Sequence, residues 1–465
     1  MMSAVVDTTA AEAGATPRAA LSFGEGGRAI AFDRHGDISL ERFRGEVRGV
    51  AATLPDAPYA INLCEDRYRF LVAFCAAAAR GQTTLLPPSR APAVIDEVIA
   101  QHPDSYCLGD IALVPAPPRY QRLPATLPQP CSPGADAIAL EIDDAALVAI
   151  GFTSGSTGHP KPNPKAWAAF RASTAQNLAA LADLLDPTGS THLVATVPPQ
   201  HMYGMEMSVL LPLLGPVAVH GARPFFPADI ARALHDAITP PLLVTTPVHL
   251  RALLEACRFD PAIALPPLAG IVSATAPLPA ELARAAEARF GCEVRELFGS
   301  TETCILARRR TALEAAWTPL PGVRLSPQPD GTAVHAPYLA QPVVLADLVE
   351  LQADGRFHLR GRNADLLEIA GKRASLGDLT RKLLAIPGVE DAVVVQLDGA
   401  GVRRIAALAV APTLDAAQIL RTLRTSIDPV FLPRPLRCVA ALPRNETGKL
   451  PRQAVLAMLQ SASSR

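Results

Sequence analysis

The fold class this sequence predicts is a large α/β N-terminal domain followed by a smaller α+β C-terminal domain. Short apolar runs alternate with amphipathic segments up to Gly361, the pattern of strands and helices layered on a mostly parallel sheet. After Gly361 the texture changes to a hairpin, short helices and strands on a smaller scale. A chain of 465 residues with 49% hydrophobic content also exceeds what one core usually absorbs, so two or more domains are expected. The boundary is placed between 1–361 and 362–465.

Each element follows from its periodicity. Leu40, Phe43, Val47 and Val50 mark one face of a helix, YAINL at 59–63 reads as a strand, and 68–80 reads as a helix stopped by Gly81. Apolar runs at 147–152, 193–197, 242–246 and 268–274 read as further strands, interleaved with amphipathic segments such as 279–290. In the second domain a hairpin at 366–374 precedes a helix at 376–384, strands at 392–397 and 404–410, and a helix at 416–425. About a hundred residues is an ordinary domain size. The first thirty or so residues, rich in Ala, Gly and Thr, are expected to fray. No internal repeat is present.

Composition excludes several classes. Formal net charge is −1 and no basic block occurs, which argues against a nucleic-acid surface. The eight cysteines are scattered without zinc-like spacing, so reduced, mostly buried thiols are expected. The N-terminus carries Asp7 and Glu12 without a basic start or an apolar run, and the longest apolar stretch, 70–79, is too short to span a bilayer. A cytoplasmic protein is expected.

The strand at 147–152 runs into TSGSTGHPKPNPK, residues 153–165, which holds two of the chain's five lysines, Lys161 and Lys165. Glycines let backbone approach an anion, successive N–H groups form a donor nest, hydroxyls add donors, and lysine supplies a compact charge. Such a loop grips phosphate, and its place after a strand suits a nucleotide site. A Walker loop does not fit, because Lys161 lies between Pro160 and Pro162 and cannot open a helix. A serine-hydrolase elbow fails too, since neither Ser154 nor Ser156 has glycines two residues away on both sides. The plain alternative is a flexible Ser/Gly loop.

Four further motifs follow in order: FGSTE at 298–302, LADLVEL at 345–351, GRNADLLEIAGKR at 361–373 and RNETGKLPR at 444–452. With them the segment resembles the adenylate-forming superfamily, which includes acyl- and aryl-CoA synthetases, peptide-synthetase adenylation domains and luciferases. The resemblance runs from residue 153 to the C-terminus. It implies the adenylate-forming fold with a mobile C-terminal lid, ATP and Mg²⁺ as cofactors, and activation of a carboxylic acid to an acyl-AMP.

The resemblance also implies roles. Thr153, Ser154, Gly155, Ser156, Thr157, Gly158 and Lys161 would hold the β- and γ-phosphates, Thr301 the α-phosphate, and Glu302 the Mg²⁺. Phe298, beside Gly299, would lie against adenine; alone, it reads equally as a core aromatic. Asp347 would bind the ribose hydroxyls and Arg362 would reinforce ribose or phosphate contacts, although Leu345 and Ala346 replace the Thr-Gly that usually precedes the aspartate. Lys449, which would otherwise be a surface lysine in a polar turn, would bridge the substrate carboxylate and the α-phosphate. Ala364 stands at the hinge, where relatives often have Asp or Lys, and Lys372 would assist the thiol donor or lie in solvent.

For the acid, PPQHMYGMEM at 198–207 is similar to the family's acyl-pocket motif, with His201 as gate and Tyr203, Met205 and Met207 as apolar wall or as ordinary core. SATAP at 273–277 replaces the usual glycine pair, and the added bulk favours a small or flat acid. PNPK after the loop and NLCEDRYRFLVAF near the N-terminus resemble stand-alone ligases of aryl-polyene or xanthomonadin pigment clusters, implying a hydroxybenzoate-type acid. The chain ends at Arg465, sixteen residues past Lys449, so the acceptor thiol is expected on a separate molecule, coenzyme A or the phosphopantetheine of an acyl carrier protein. Alternatives are a fatty-acyl-AMP ligase or synthetase for aliphatic acids, and an inactive nucleotide-binding scaffold.

Overall fold

The computed structural model describes residues 17–129, 140–154, 160–187, 191–329, 331–362, 366–369, 372–397, 404–445 and 448–460. Two sheets dominate the region before Gly361. The first has six strands in the order Pro160–Ala166, Leu147–Ser154, Thr83–Leu86, Tyr59–Asn62, Ser105–Gly109 and Tyr120–Arg122, parallel except for the antiparallel first pair. The second has nine strands, and its parallel centre runs Val294–Ser300, Gly270–Ser273, Leu242–Thr245, Thr191–Ala195, Val217–His220 and Ala29–Asp33. Gly36–Ser39 pairs antiparallel at one side, and Cys304–Arg309 followed by Thr318–Pro319 at the other.

The strands read as continuous apolar runs because both faces are covered. Leu193 and Ala195 enter one hydrophobic cluster while Val194 enters another, and Leu242 and Val244 divide from Leu243 in the same way. The helix Arg67–Ala79 is apolar on nearly every side and buried along almost its whole length between the sheets, as all-round hydrophobicity requires. Asp66 caps it, accepting from Arg69 N at 2.8 Å. Helices Pro227–His235, Pro247–Phe259 and Ala280–Phe290 cover the outer face of the second sheet, and Pro92–Gln101 covers that of the first.

Beyond Gly361 separate apolar clusters gather around the helices Leu376–Leu384 and Ala416–Leu423, the strands Asp391–Leu397 and Arg404–Val410, and the helix Arg452–Gln460. The α/β architecture is therefore as the periodicities predict. One element is not: Pro160–Ala166 is a strand despite three prolines. It survives because it is a sheet edge, where proline's missing donor costs no ladder bond. Among the described residues no helix is long and apolar enough to cross a membrane.

Candidate active site

Open α/β sheets bind ligands beyond the carboxyl ends of their strands, at points where successive connections leave in opposite directions. Both sheets have such a point. Thr191–Ala195 lies between Val217–His220 and Leu242–Thr245, and Tyr59–Asn62 lies between Thr83–Leu86 and Ser105–Gly109. The two carboxyl edges meet at one cleft, lined by Leu86, Gly151 and Phe152 from the first sheet and by Gln200, His201, Met202 and Thr301 from the second.

Thr153 stands half-buried at the end of the strand Leu147–Ser154, and Asn163 Nδ2 lies 3.5 Å from its hydroxyl. The side chain of Ser154 and residues Gly155, Ser156, Thr157 and Gly158 lie outside the described residues. Lys161 is exposed on the edge strand opposite Thr153. Lys165, four residues on, faces inward; it is 5% exposed and its Nζ donates to the Glu302 carbonyl at 2.8 Å.

FGSTE spans the end of the strand Val294–Ser300 and the turn after it. Phe298 is half-buried with its ring 5.6 Å from Trp317 and 6.2 Å from Phe357. A register shift follows it, and a Cβ on Gly299 would overlap the Cys304 carbonyl. Thr301 reaches the cleft, so close to Gly151 that a Cβ there would stand 2.9 Å from its methyl. Glu302 is half-buried. Among the described residues no cluster of three His, Cys, Asp or Glu side chains forms a self-sufficient metal site. A single carboxylate suits Mg²⁺ carried by phosphates, because that ion keeps waters and phosphate oxygens as its other ligands.

His201 caps the helix Met202–Met205, which continues through a π-helical turn, Glu206–Leu210, into Leu211–Leu214. Burial, followed by the charges of Lys449, Arg223 and Arg90, pulls the His201 imidazole down to about 4, so it is neutral at neutral pH. Of the methionines beside it, Met202 lines the cleft whereas Met205 and Met207 are wholly buried in the core. The Gln200 amide oxygen is buried at the cleft without a protein hydrogen-bond partner. Buried Arg67 ties the pocket together, donating to the carbonyls of Ala195 at 2.7 Å and Val197 at 3.0 Å and to the Ser208 hydroxyl on the π turn.

Thr275, in the segment that replaces a glycine pair, has φ +78°. A β-branched residue there carries about 1–3 kcal/mol of backbone strain. Thr275→Gly should therefore raise stability in urea denaturation by about 1 kcal/mol after glycine's entropy cost. A loss of equal size would show that contacts of the threonine side chain outweigh the strain.

Asp347 opens the strand Asp347–Leu351 directly opposite Arg362, and Thr332 Oγ1 donates to its carbonyl at 2.6 Å. The Arg362 side chain and Ala364 lie outside the described residues, as does the Lys372 side chain. Lys449 is exposed in a loop fixed by reciprocal bonds with Asn445: Lys449 N donates to Asn445 Oδ1 at 2.9 Å and Asn445 N to the Lys449 carbonyl at 2.8 Å. Gly448, at φ +76°, lies against the start of the helix Pro247–Phe259, where an added Cβ would meet Val248 at 3.4 Å and the Thr246 hydroxyl at 3.9 Å.

Lys165 and Glu206 were not assigned roles from sequence. Glu206 is fully buried, and burial raises its carboxyl to about 7 against the opposing pull of Asn177, the Ile305 amide and Lys165. Its signal was an acid inside the apolar run MYGMEMSVLL; that of Lys165 was the scarcity of lysine.

A family model described as AMP-binding enzyme matches residues 63–332. A 4-coumarate–CoA ligase of Rhodobacter capsulatus is 33% identical over 65% of this chain and 74% of its own length. A 3-hydroxybenzoate–CoA/4-hydroxybenzoate–CoA ligase of Thauera aromatica is 28% identical over 48% of this chain and 50% of its own. Among solved structures, ATP-bound MatB from Rhodopseudomonas palustris aligns with a TM-score of 0.77 at 21% identity, covering 94% of this chain and 96% of that one. The anthranilate CoA ligase AuaEII with anthranoyl-AMP aligns with a TM-score of 0.77 at 17% identity, covering 95% and 96%. More than half of the sequence matches the family model and nearly all of the backbone follows these structures, so the chain belongs to the AMP-binding enzymes and has the adenylate-forming fold.

Proposed function

We propose that the chain is an AMP-forming acid–thiol ligase that activates an aromatic acid of the hydroxybenzoate type and passes it to a thiol. A carboxylate oxygen of the acid attacks the α-phosphorus of ATP and pyrophosphate departs. The thiol sulfur then attacks the acyl carbonyl, its proton goes to solvent, and AMP leaves. The acceptor is coenzyme A, or the phosphopantetheine of a separate acyl carrier protein. Residues 1–361 bind nucleotide and acid, and 362–465 form the lid.

The roles follow the chemistry of joining two anions. Thr153, Ser154, Gly155, Ser156, Thr157, Gly158 and Lys161 hold the terminal phosphates, Thr301 the α-phosphate, Asp347 and Arg362 the ribose, and Phe298 with Gly299 the adenine. Glu302 would hold Mg²⁺, which would neutralise charge on the phosphates. Lys449 bridges carboxylate and α-phosphate, and His201, neutral at working pH, closes the acid pocket without adding a competing cation.

One observation carries this proposal: the loop that bears Lys449 lies against the start of the helix Pro247–Phe259, where a Cβ on Gly448 would meet Val248 at 3.4 Å, and the Lys449 charge adds to the burial that lowers His201 in the cleft it shares with Thr301. This supports a C-terminal lysine acting beside the acid-pocket and α-phosphate motifs. The relatives named for 4-coumarate and hydroxybenzoate support an aromatic acid. A buried Gln200 oxygen without a protein partner suits a hydroxyl on the ring, because a site built around a hydrogen bond rejects the acid that lacks it. A cytoplasmic setting and pigment biosynthesis complete the proposal.

ATP–pyrophosphate exchange with benzoates, hydroxybenzoates, hydroxycinnamates, and short- and long-chain fatty acids tests it. Exchange is expected with a hydroxylated aromatic acid. Exchange with fatty acids alone would make the chain an aliphatic ligase, and silence with ATP still bound would make it a scaffold.

A further inference from the structure

We propose that Lys165 and Glu206 are positioning residues that clasp the Thr301–Glu302 turn from beneath, tying the phosphate-loop strand and the acid-pocket helix to the carboxylate that meets the metal-bound nucleotide. This rests on the assignment of Glu302 given above. Neither residue lines the cleft, and both are almost wholly inaccessible.

The turn between the strands Val294–Ser300 and Cys304–Arg309 is short and irregular. Ser300 and Thr303 share a side-chain hydrogen bond of 2.9 Å, Thr303 N donates to Ser300 Oγ at 3.2 Å, and Cys304 takes φ +59°. Such a conformation persists only when its surroundings fix it. Two buried groups do so. Lys165 Nζ donates to the Glu302 carbonyl at 2.8 Å. Glu206 Oε1 accepts from Ile305 N at 3.2 Å and from Asn177 Nδ2 at 3.1 Å, and Tyr338 holds the Ile305 carbonyl from the far side at 2.9 Å.

The origins of these two side chains give the clasp its functional meaning. Lys165 sits on the edge strand that leaves the phosphate loop, four residues beyond Lys161, with its backbone opposite Ala149. Glu206 begins the π turn of the helix that His201 caps. Such turns re-aim one side chain without breaking the helix, and they recur at functional sites. Both side chains are buried, and Lys165 opposes the burial that raises the Glu206 carboxyl, so removing either changes the setting of the other in low dielectric.

Supporting groups of this kind typically change metal affinity or activity by about 10- to 100-fold when lost. Calorimetric titration of the full chain with Mg·ATP, and separately with AMP without metal, tests the clasp in Lys165→Met, Glu206→Met, Glu302→Gln and the double variant Lys165→Met/Glu302→Gln. Lys165→Met is expected to weaken Mg·ATP about tenfold and to weaken AMP, which meets the turn only through Thr301, by much less. In the Glu302→Gln background it should add nothing, since the carboxylate it positions is already gone. Glu206→Met keeps the length of the side chain, removes the oxygen that accepts from Ile305 N and Asn177 Nδ2, and shows a loss of the same kind, which decides the matter should Lys165→Met not fold. Folded variants that bind Mg·ATP like the wild type, or losses that multiply in the double variant, overturn the inference. A wild type that binds Mg·ATP without pyrophosphate exchange leaves the clasp standing and rejects the reaction, whereas one that binds no Mg·ATP rejects both.

Discussion

Lys449→Ala is expected to slow ATP–pyrophosphate exchange by 10²- to 10³-fold, about 3 to 4 kcal/mol of transition-state stabilisation, while the Kd for ATP stays within a few-fold of wild type. The separation of rate from affinity is the diagnostic part. A donor aimed at charge that develops only as pyrophosphate leaves acts on the transition state and not on bound ATP. The loop that carries the lysine is built to present it: Gly448 takes a backbone conformation that side chains resist, and the Asn445 bonds close the turn on either side. Arg444 anchors the base, paired in bidentate fashion with Asp391 at 2.7 and 2.8 Å and donating to the Gly448 carbonyl at 2.6 Å. Lys449 itself is exposed, and an ammonium in water adds little to catalysis. The size of the loss therefore reports how far the lid closes over bound substrates. A drop of less than tenfold would mean that the lysine stays in solvent and that the charge of the transition state is met by other groups.

The large sheets were legible because their strands are buried on both faces and so appear as unbroken apolar runs; 147–152, 242–246 and 268–274 each fell on a strand. The helix Arg67–Ala79 was legible for the same reason, its composition leaving no exposed side. What escaped was written in another register. Pro160–Ala166 looks like loop because of its prolines, yet from Pro162 to Lys165 exposed prolines alternate with buried Asn163 and Lys165, a period of two that proline composition masks. The phosphate-loop composition drew attention to its lysines without distinguishing outward Lys161 from inward Lys165. The bond from Lys165 to the Glu302 carbonyl joins residues 137 apart and that from Ile305 to Glu206 joins residues 99 apart, packing that no local pattern encodes.

Gly299→Ala should be a damaging single-methyl change at the nucleotide side of the site. Its Cβ would overlap the Cys304 carbonyl and stand 2.7 Å from Ile305 Cα, both backbone atoms that cannot rotate aside. Overpacking of this kind costs about 1–3 kcal/mol, visible as a lower midpoint in urea. Because the methyl lies at the bulge between Phe298 and the Thr301–Glu302 turn, relief comes by moving that turn. A shift of about 1 Å at reacting groups is worth on the order of 10²-fold in rate, so exchange activity at saturating ATP should fall by about that much even where the variant is fully folded. Gly27→Ala is the control, since nothing lies within 4 Å of its Cβ, and it should change neither quantity. A Gly299→Ala enzyme that loses stability and keeps its rate would show that the turn yields on the Cys304 side alone. The positions of Thr301 and Glu302 would then depend on the clasp beneath them, and the glycine's role would be confined to the fold.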